Sequence, residues 1–272
     1  MTDRSHVSNG GKEFFRDVFS GGRGSSDDSE TDDDLADDED PALEPVEEAP
    51  VDQPEQMRRG SLSTGIDLLD RRLNGGIPPG RMVAFVAPPD TQSELLLKEL
   101  TTTRDTLYLS TFRPKWEIEE EFRDFLTLAD SPDGLPHQIH IEHVSPDSLL
   151  DEPDRYLRDL GEGSNLIIDS INEFELEDRS AYLQFLNTVK LRLWDTGSVG
   201  LCYGIEDDGS PISRSLTLKR ADIVWRLQSS VESQGISTYL VISKFRGGKA
   251  LTEPIKLVLT DEVEIDTSRD IA

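Results

Sequence analysis

The chain has 272 residues, 55 of them acidic and 28 basic, for a formal net charge of -27. That length allows one large domain or two small ones, and a surface this acidic repels phosphate backbones, so direct nucleic-acid binding is excluded unless a local basic patch exists. One cysteine, Cys202, excludes an internal disulfide, and no apolar run reaches membrane-spanning length.

The acid is unevenly spread. Residues 1–57 carry 18 acidic and 4 basic residues, whereas residues 58–272 carry 37 and 24, so the remainder is acidic in its own right. Arg outnumbers Lys 20 to 8. An acidic, Lys-poor surface suits a salt-rich cytoplasm, where repulsion is screened within a few ångströms, and reads as halophilic. The opening MTDRSHVSNGGKEFF lacks the apolar core of a secretion signal, so the expected location is cytoplasmic. Between Asp27 and Glu55 lie 15 acidic residues and no basic one, with Pro41, Pro45, Pro50 and Pro54 interspersed. Such a segment cannot bury enough apolar area to offset its ordering entropy, so residues 1–57 are expected to form a disordered acidic arm. Within it, Phe14, Phe15, Val18 and Phe19 share one helical face of Glu13–Phe19, a candidate docking helix on an acidic tether.

Residues 58–272 read as one domain. Thr64 and Asp67 fit a capping box before a short helix carrying Ile66, Leu68, Leu69 and Leu73, ended by Gly75-Gly76. A buried strand is predicted at Met82 to Val86, a helix at Ser93 to Thr102, a strand at Thr106 to Thr111 and an amphipathic helix at Trp116 to Leu128. A strand follows at Ile139 to Val144, a helix at Pro153 to Leu160, and a nearly all-apolar strand at Asn165 to Asp169, as a central parallel strand should be. Ser180 to Leu193 is a predicted helix, Val199 to Tyr203 a strand and Arg214 to Arg220 a short helix. Ile223 to Leu227, Thr238 to Lys244 and Ile255 to Leu259 close the chain as strands with short connections, expected to add antiparallel edges. Strands alternating with helices imply an α/β sandwich whose mostly parallel sheet is covered on both faces.

The order of these features resembles the RecA-type ATPases, and most closely their KaiC and RadA-like archaeal branch. The phrase LSTGIDLLDRRLNGGIPPGRMVAFVA (Leu62 to Ala87) is similar to that branch's opening, in which a helix and a Gly-Gly-x-Pro-x-Gly turn precede the phosphate-loop strand. NLIIDS (Asn165 to Ser170) looks like the second nucleotide motif, and Lys244-Phe245-Arg246-Gly247 like the K-x-R-G strand end that, in KaiC-like hexamers, reaches the neighbour's nucleotide. The resemblance spans roughly residues 60 to 266. It implies a RecA-like three-layer α/β sandwich and a context of cytoplasmic signalling.

The residues that would do the chemistry are replaced. A phosphate loop reads G-x-x-x-x-G-K-[ST], because glycines let backbone N–H groups wrap a phosphate, Lys reaches the β/γ-phosphates and a hydroxyl holds Mg²⁺. Here the eight positions hold Ala87, Pro88, Pro89, Asp90, Thr91, Gln92, Ser93 and Glu94. Pro88 and Pro89 remove two donors, and Asp90 and Glu94 put negative charge where a triphosphate would sit. The family's catalytic Glu follows the second strand in a phrase resembling T-F-E-E; this chain has Thr111-Phe112-Arg113-Pro114. Asp169 remains at the Mg²⁺-coordinating position, expected either to hydrogen-bond the neighbouring turn or to pair with Arg113. Lys244 and Arg246 remain too, either as an edge that meets a partner subunit or as solvated cations beside the Gly247-Gly248 turn.

No catalytic residue, cofactor or metal is therefore expected. His137, His140 and His143 fall on a strand whose alternation sends His140 to the opposite face, which does not suit a single metal. Cys202 reads as a small buried residue, and the pairs Arg58-Arg59, Arg71-Arg72 and Lys219-Arg220 as solvated faces. The expectation is a non-catalytic, regulatory or scaffolding RecA/KaiC-like module that meets a protein partner or itself, with no direct nucleic-acid or membrane contact. The alternative is an active or weakly active ATPase of signalling or recombination, drawing phosphate contacts from Arg81, Lys98 or Arg113 and using ATP with Mg²⁺.

Overall fold

A computed structural model describes residues 60–128, 137–206, 209, 211–232, 235–248, 251–260 and 262–266. The acidic arm expected over residues 1–57 and the Phe14–Phe19 segment lie outside the described residues.

Nine strands form one sheet in the order β3-β2-β4-β5-β1-β6-β7-β8-β9. They are β1 (Met82–Ala87), β2 (Thr106–Ser110), β3 (Ile139–His143), β4 (Asn165–Asp169), β5 (Val199–Ile205), β6 (Ile223–Glu232), β7 (Gly235–Phe245), β8 (Ile255–Leu259) and β9 (Val263–Ile265). The helices are α1 (Asp67–Arg72), α2 (Glu94–Thr101), α3 (Lys115–Leu128), α4 (Pro146–Asp151), α5 (Pro153–Leu157), α6 (Arg179–Thr196) and α7 (Arg214–Arg220).

Every side chain of β1 is buried, because β1 sits between β5 and β6 with helices on both faces. Alternation sends Val83, Phe85 and Ala87 into one core with residues of α1 and α2, and Met82 and Ala84 into the other with residues of α5 and α6. Helix α6 is bounded as its sequence prescribes. Asp178 accepts from the amides of Ser180 and Ala181 at 2.9 and 3.0 Å, and Gly197 takes φ 62° just past the last turn.

Three expectations are corrected. The strand beginning at Ile223 is not an antiparallel edge: β6 pairs in parallel with β1, and only β7, β8 and β9 run antiparallel. Its hairpin with β7 also runs past the apolar stretch that marked it, because the ladder continues through polar Ser229–Ser230 opposite Ser237–Thr238. The capping box at Thr64 and Asp67 does not form. Asp70 accepts from Thr64 N and Thr64 Oγ1 at 2.8 and 2.7 Å and from Ser63 Oγ at 2.5 Å, so the carboxylate one turn later holds the entry of α1. Helix α4, capped by Ser145 and started by Pro146, and strand β9 were absent from the sequence reading.

Candidate functional site

The turn from Pro88 to Ser93 lies at the C-terminal end of β1, where open α/β sheets place their ligands. It is closed on itself: Thr91 Oγ1 donates to the Pro88 carbonyl at 2.7 Å. Asp90 is exposed, and Glu94 is half-buried in the first turn of α2, the helix end whose dipole favours a carboxylate. Ser93, at the position matching the family's Lys, is 1% exposed. Its hydroxyl shares a 2.8 Å hydrogen bond with the Tyr203 hydroxyl on β5. The Tyr203 ring in turn lies 5.5 Å from that of Phe85, centroid to centroid. Burial pushes the Tyr203 hydroxyl up to about 12, with the carboxylates of Glu94 and Asp169 adding to it against the Ser93 bond. The lysine position is thus built into the core between β1 and β5.

The strand-end carboxylate is also held from within. Asp169 Oδ2 accepts from the Tyr108 hydroxyl at 2.6 Å and from Arg113 at 3.3 Å. Of the two sequence expectations for Asp169, the pairing with Arg113 is therefore the one present. Arg113 also donates to Glu121 on α3, whose other oxygen meets Lys98 of α2. A continuous polar chain, Lys98–Glu121–Arg113–Asp169–Tyr108, crosses from α2 to β2. Burial alone would raise the Glu121 carboxyl, but the hydrogen bonds from Lys98 and Arg113 outweigh it and hold the group below its ordinary value. Burial would lower Arg113, yet the negative partners around it keep it firmly protonated. Tyr108 is pushed well up, by burial first and by the Asp169 charge second, so it donates as a neutral hydroxyl.

Sequence reasoning placed Asp169 and Arg113 here but missed Tyr108, Tyr203 and Glu121. For Tyr203 a signal existed: in a parallel sheet the ends of adjacent strands are neighbours, and the register Ser110↔Asp169↔Tyr203 sets Tyr203 beside Asp169. Glu121 comes from α3, outside the sheet. Lys98 and Arg113, the alternative phosphate contacts, are both engaged with Glu121, and Arg81 precedes β1, at its opposite end from the turn.

Lys244 and Arg246 sit at that opposite end as well, because β7 is antiparallel to β6 and finishes beside Ile223. Lys244 Nζ donates to the carbonyls of Leu218 and Lys219 at 3.0 and 3.1 Å and to that of Ala221, capping α7. It is not the freely solvated cation that one sequence reading allowed; burial, with the Arg246 charge, lowers its proton affinity. Arg246 is 3.3 Å from Asp222 with its side chain 56% exposed. Arg220, read as half of a solvated pair, has its Nε buried.

One further feature was not foreseen. Glu175 and Arg214, 2% and 5% exposed, form a 2.7 Å ion pair joined by Thr217 and Tyr182. Cys202 is fully buried, and burial followed by the Glu175 charge pushes its thiol up to about 12. His143 Nδ1 lies 3.0 Å from the Arg113 carbonyl, and among the described residues no group of three or more His, Cys, Asp or Glu is placed to hold a metal ion. Among the described residues no helix is long and apolar enough to cross a membrane.

The fold is similar to that of the KaiC-like protein PH0186 from the hyperthermophilic archaeon Pyrococcus horikoshii OT3. The TM-score is 0.60 at 14% identity, over 76% of this chain and 99% of that one. At that identity the likeness speaks for a RecA/KaiC-like fold alone. No curated protein matches the sequence. The model of the family of unknown function DUF7125 matches residues 61–272, and the chain belongs to that family.

Proposed function

We propose that the protein is a non-catalytic RecA/KaiC-like module, a pseudo-ATPase that regulates or scaffolds a protein partner or a second copy of itself, in the cytoplasm of a halophile. The observation that carries this reading is the Ser93–Tyr203 hydrogen bond inside the core, at the position where the family's Lys would reach a phosphate. The engagement of Asp169 by Tyr108 and Arg113 supports it, since the carboxylate then has a cation from its own chain in place of a metal ion. Loss of the Lys, the hydroxyl and the base together argues against turnover more strongly than any single loss. The signalling role comes from the family resemblance and is part of the proposal; fold does not fix function. No cofactor is needed for the role, and the acidic surface turns nucleic acid away.

The test is thermal unfolding in high salt with and without Mg²⁺ and ATP, run beside an assay of phosphate release. A ligand at a hundredfold its dissociation constant raises stability by about 2.7 kcal/mol. An unchanged transition and no phosphate release support the module. A clear upward shift, or magnesium-dependent release, would establish the active ATPase instead.

A further inference from the structure

A cavity of about 460 Å³ opens beneath the N-terminal ends of β1 and β6, lined by Arg81, Asn187, Lys190, Trp194, Arg220 and Asp222. It lies at the other end of β1 from the Pro88–Pro89 turn. Six strand residues at about 3.3 Å each separate the two places by about 20 Å. The volume suits a single small molecule.

The charges in its wall do not cancel. Asp222 is 1% exposed and already satisfied: Lys190 Nζ lies 2.7 Å from both of its oxygens, Met82 N donates at 3.2 Å and Arg246 approaches at 3.3 Å. Arg81 and Arg220 are different. The Nε donor of each is buried without a hydrogen-bond partner, and so is Asn187 Oδ1. Buried guanidinium donors without an acceptor are rare in folded proteins. The one carboxylate among the residues lining the cavity, Asp222, is taken by Lys190 and Arg246. Gly247, with φ 85°, is part of the same construction: a Cβ there would come within 3.0 Å of the Arg81 terminal nitrogen.

We propose that this cavity binds a small phosphate monoester carrying a planar apolar group. Two uncompensated guanidinium groups match the charge of a phosphate monoester, which is about -1.5 to -2 at neutral pH. Their fork of donors suits its oxygens. Trp194 supplies a flat wall for the planar group, beside the Leu191 side chain, which is 65% exposed. The site is separate from the turn after β1 and does not depend on whether that turn takes a nucleotide.

Phenyl phosphate is the probe, titrated into the full chain by calorimetry and by tryptophan fluorescence, with benzoate and inorganic phosphate as comparisons. Saturable one-to-one binding at millimolar concentration is expected, with quenching that Trp194→Phe removes. Arg81→Gln and Arg220→Gln, checked for intact circular dichroism, each weaken it at least about tenfold, as loss of a charge-assisted hydrogen bond does. Arg113→Gln leaves it unchanged. Benzoate and inorganic phosphate bind at least about tenfold more weakly, one carrying a single negative charge and no phosphate oxygens, the other lacking the apolar group. Absence of saturable binding to the unaltered chain overturns the site, whatever the variants do. So does affinity that survives both Gln substitutions in folded protein, falls instead in Arg113→Gln, or is equal for benzoate.

Discussion

Arg113 donates to Asp169 at 3.3 Å, so a cation from the loop after β2 neutralises the carboxylate that ends β4. The same arginine holds Glu121. One side chain therefore serves two carboxylates, and the upper end of the sheet is closed by this chain's own charges.

Removing that cation leaves a nearly buried carboxylate unpaired. Arg113→Ala should cost about 3 kcal/mol, in the range seen when one partner of a buried pair is deleted. Urea unfolding measures it, because urea leaves ion pairs unscreened. Unchanged stability would mean that water replaces the guanidinium at no cost and that the polar chain has no structural role.

Restoring the motif's lettering should not restore its chemistry. The double substitution Ser93→Lys with Glu94→Thr puts an ammonium where the native side chain is 1% exposed and bonded to Tyr203. A loss of roughly 2–4 kcal/mol is expected from burying an unpaired charge, with no gain in Mg²⁺–ATP binding by calorimetry. If the doubly substituted chain bound ATP, the site would be two substitutions away from competence and the fold around it unaltered.

The Glu121 carboxyl is held below its ordinary value of 4.5 by Lys98 and Arg113, against its own burial. Its contribution is then fully present above pH about 4.5 and fades as pH falls through the lower, folded value. Glu175, raised by burial, acts in the opposite sense and gains as it protonates. The stability gap between the unaltered chain and Glu121→Gln isolates the first group. It should be about 1–3 kcal/mol at neutral pH, as for hydrogen bonds to charged groups, and close in acid. A gap independent of pH would show that Lys98 and Arg113 do not act through the charge.

The Gly-Gly-x-Pro-x-Gly phrase has a steric meaning that can be checked. Gly76 has φ 112°, and a Cβ there would lie 2.1 Å from the Leu62 carbonyl oxygen, which accepts from Ile77 N across a two-residue bridge. Gly76→Ala should cost more than about 2 kcal/mol. Gly60→Ala, where nothing lies within 4 Å of the added carbon, should stay within about 0.5 kcal/mol. Comparable midpoints in urea for the two variants would contradict this account of the turn.

The central strands were legible because each is a nearly unbroken apolar run bounded by turn residues, and burial on both faces produces that pattern wherever it occurs. The direction of β6 was not, since pairing partners are set by the sheet and the run Ile223 to Leu227 reads the same in either orientation. Arg113 and Asp169 could be named from motif positions alone. Lys244 could not be assigned a role from its motif, because its carbonyl partners depend on where α7 ends. The grouping of Arg81, Asn187 and Arg220 was hidden for a similar reason: they come from the entry to β1, the middle of α6 and the end of α7, and only the fold brings them to one cavity.

Asp222 joins four parts of the chain through one buried carboxylate: the first amide of β1, Lys190 of α6, the entry to β6 and Arg246 just past β7. Opening any of these elements exposes an acid whose cations are anchored in the others. In deuterium exchange the amides of Met82 to Val86 should consequently be released only by global unfolding, as the innermost cooperative unit, with the exposed amides of Ser230, Val231 and Ile236 exchanging long before them.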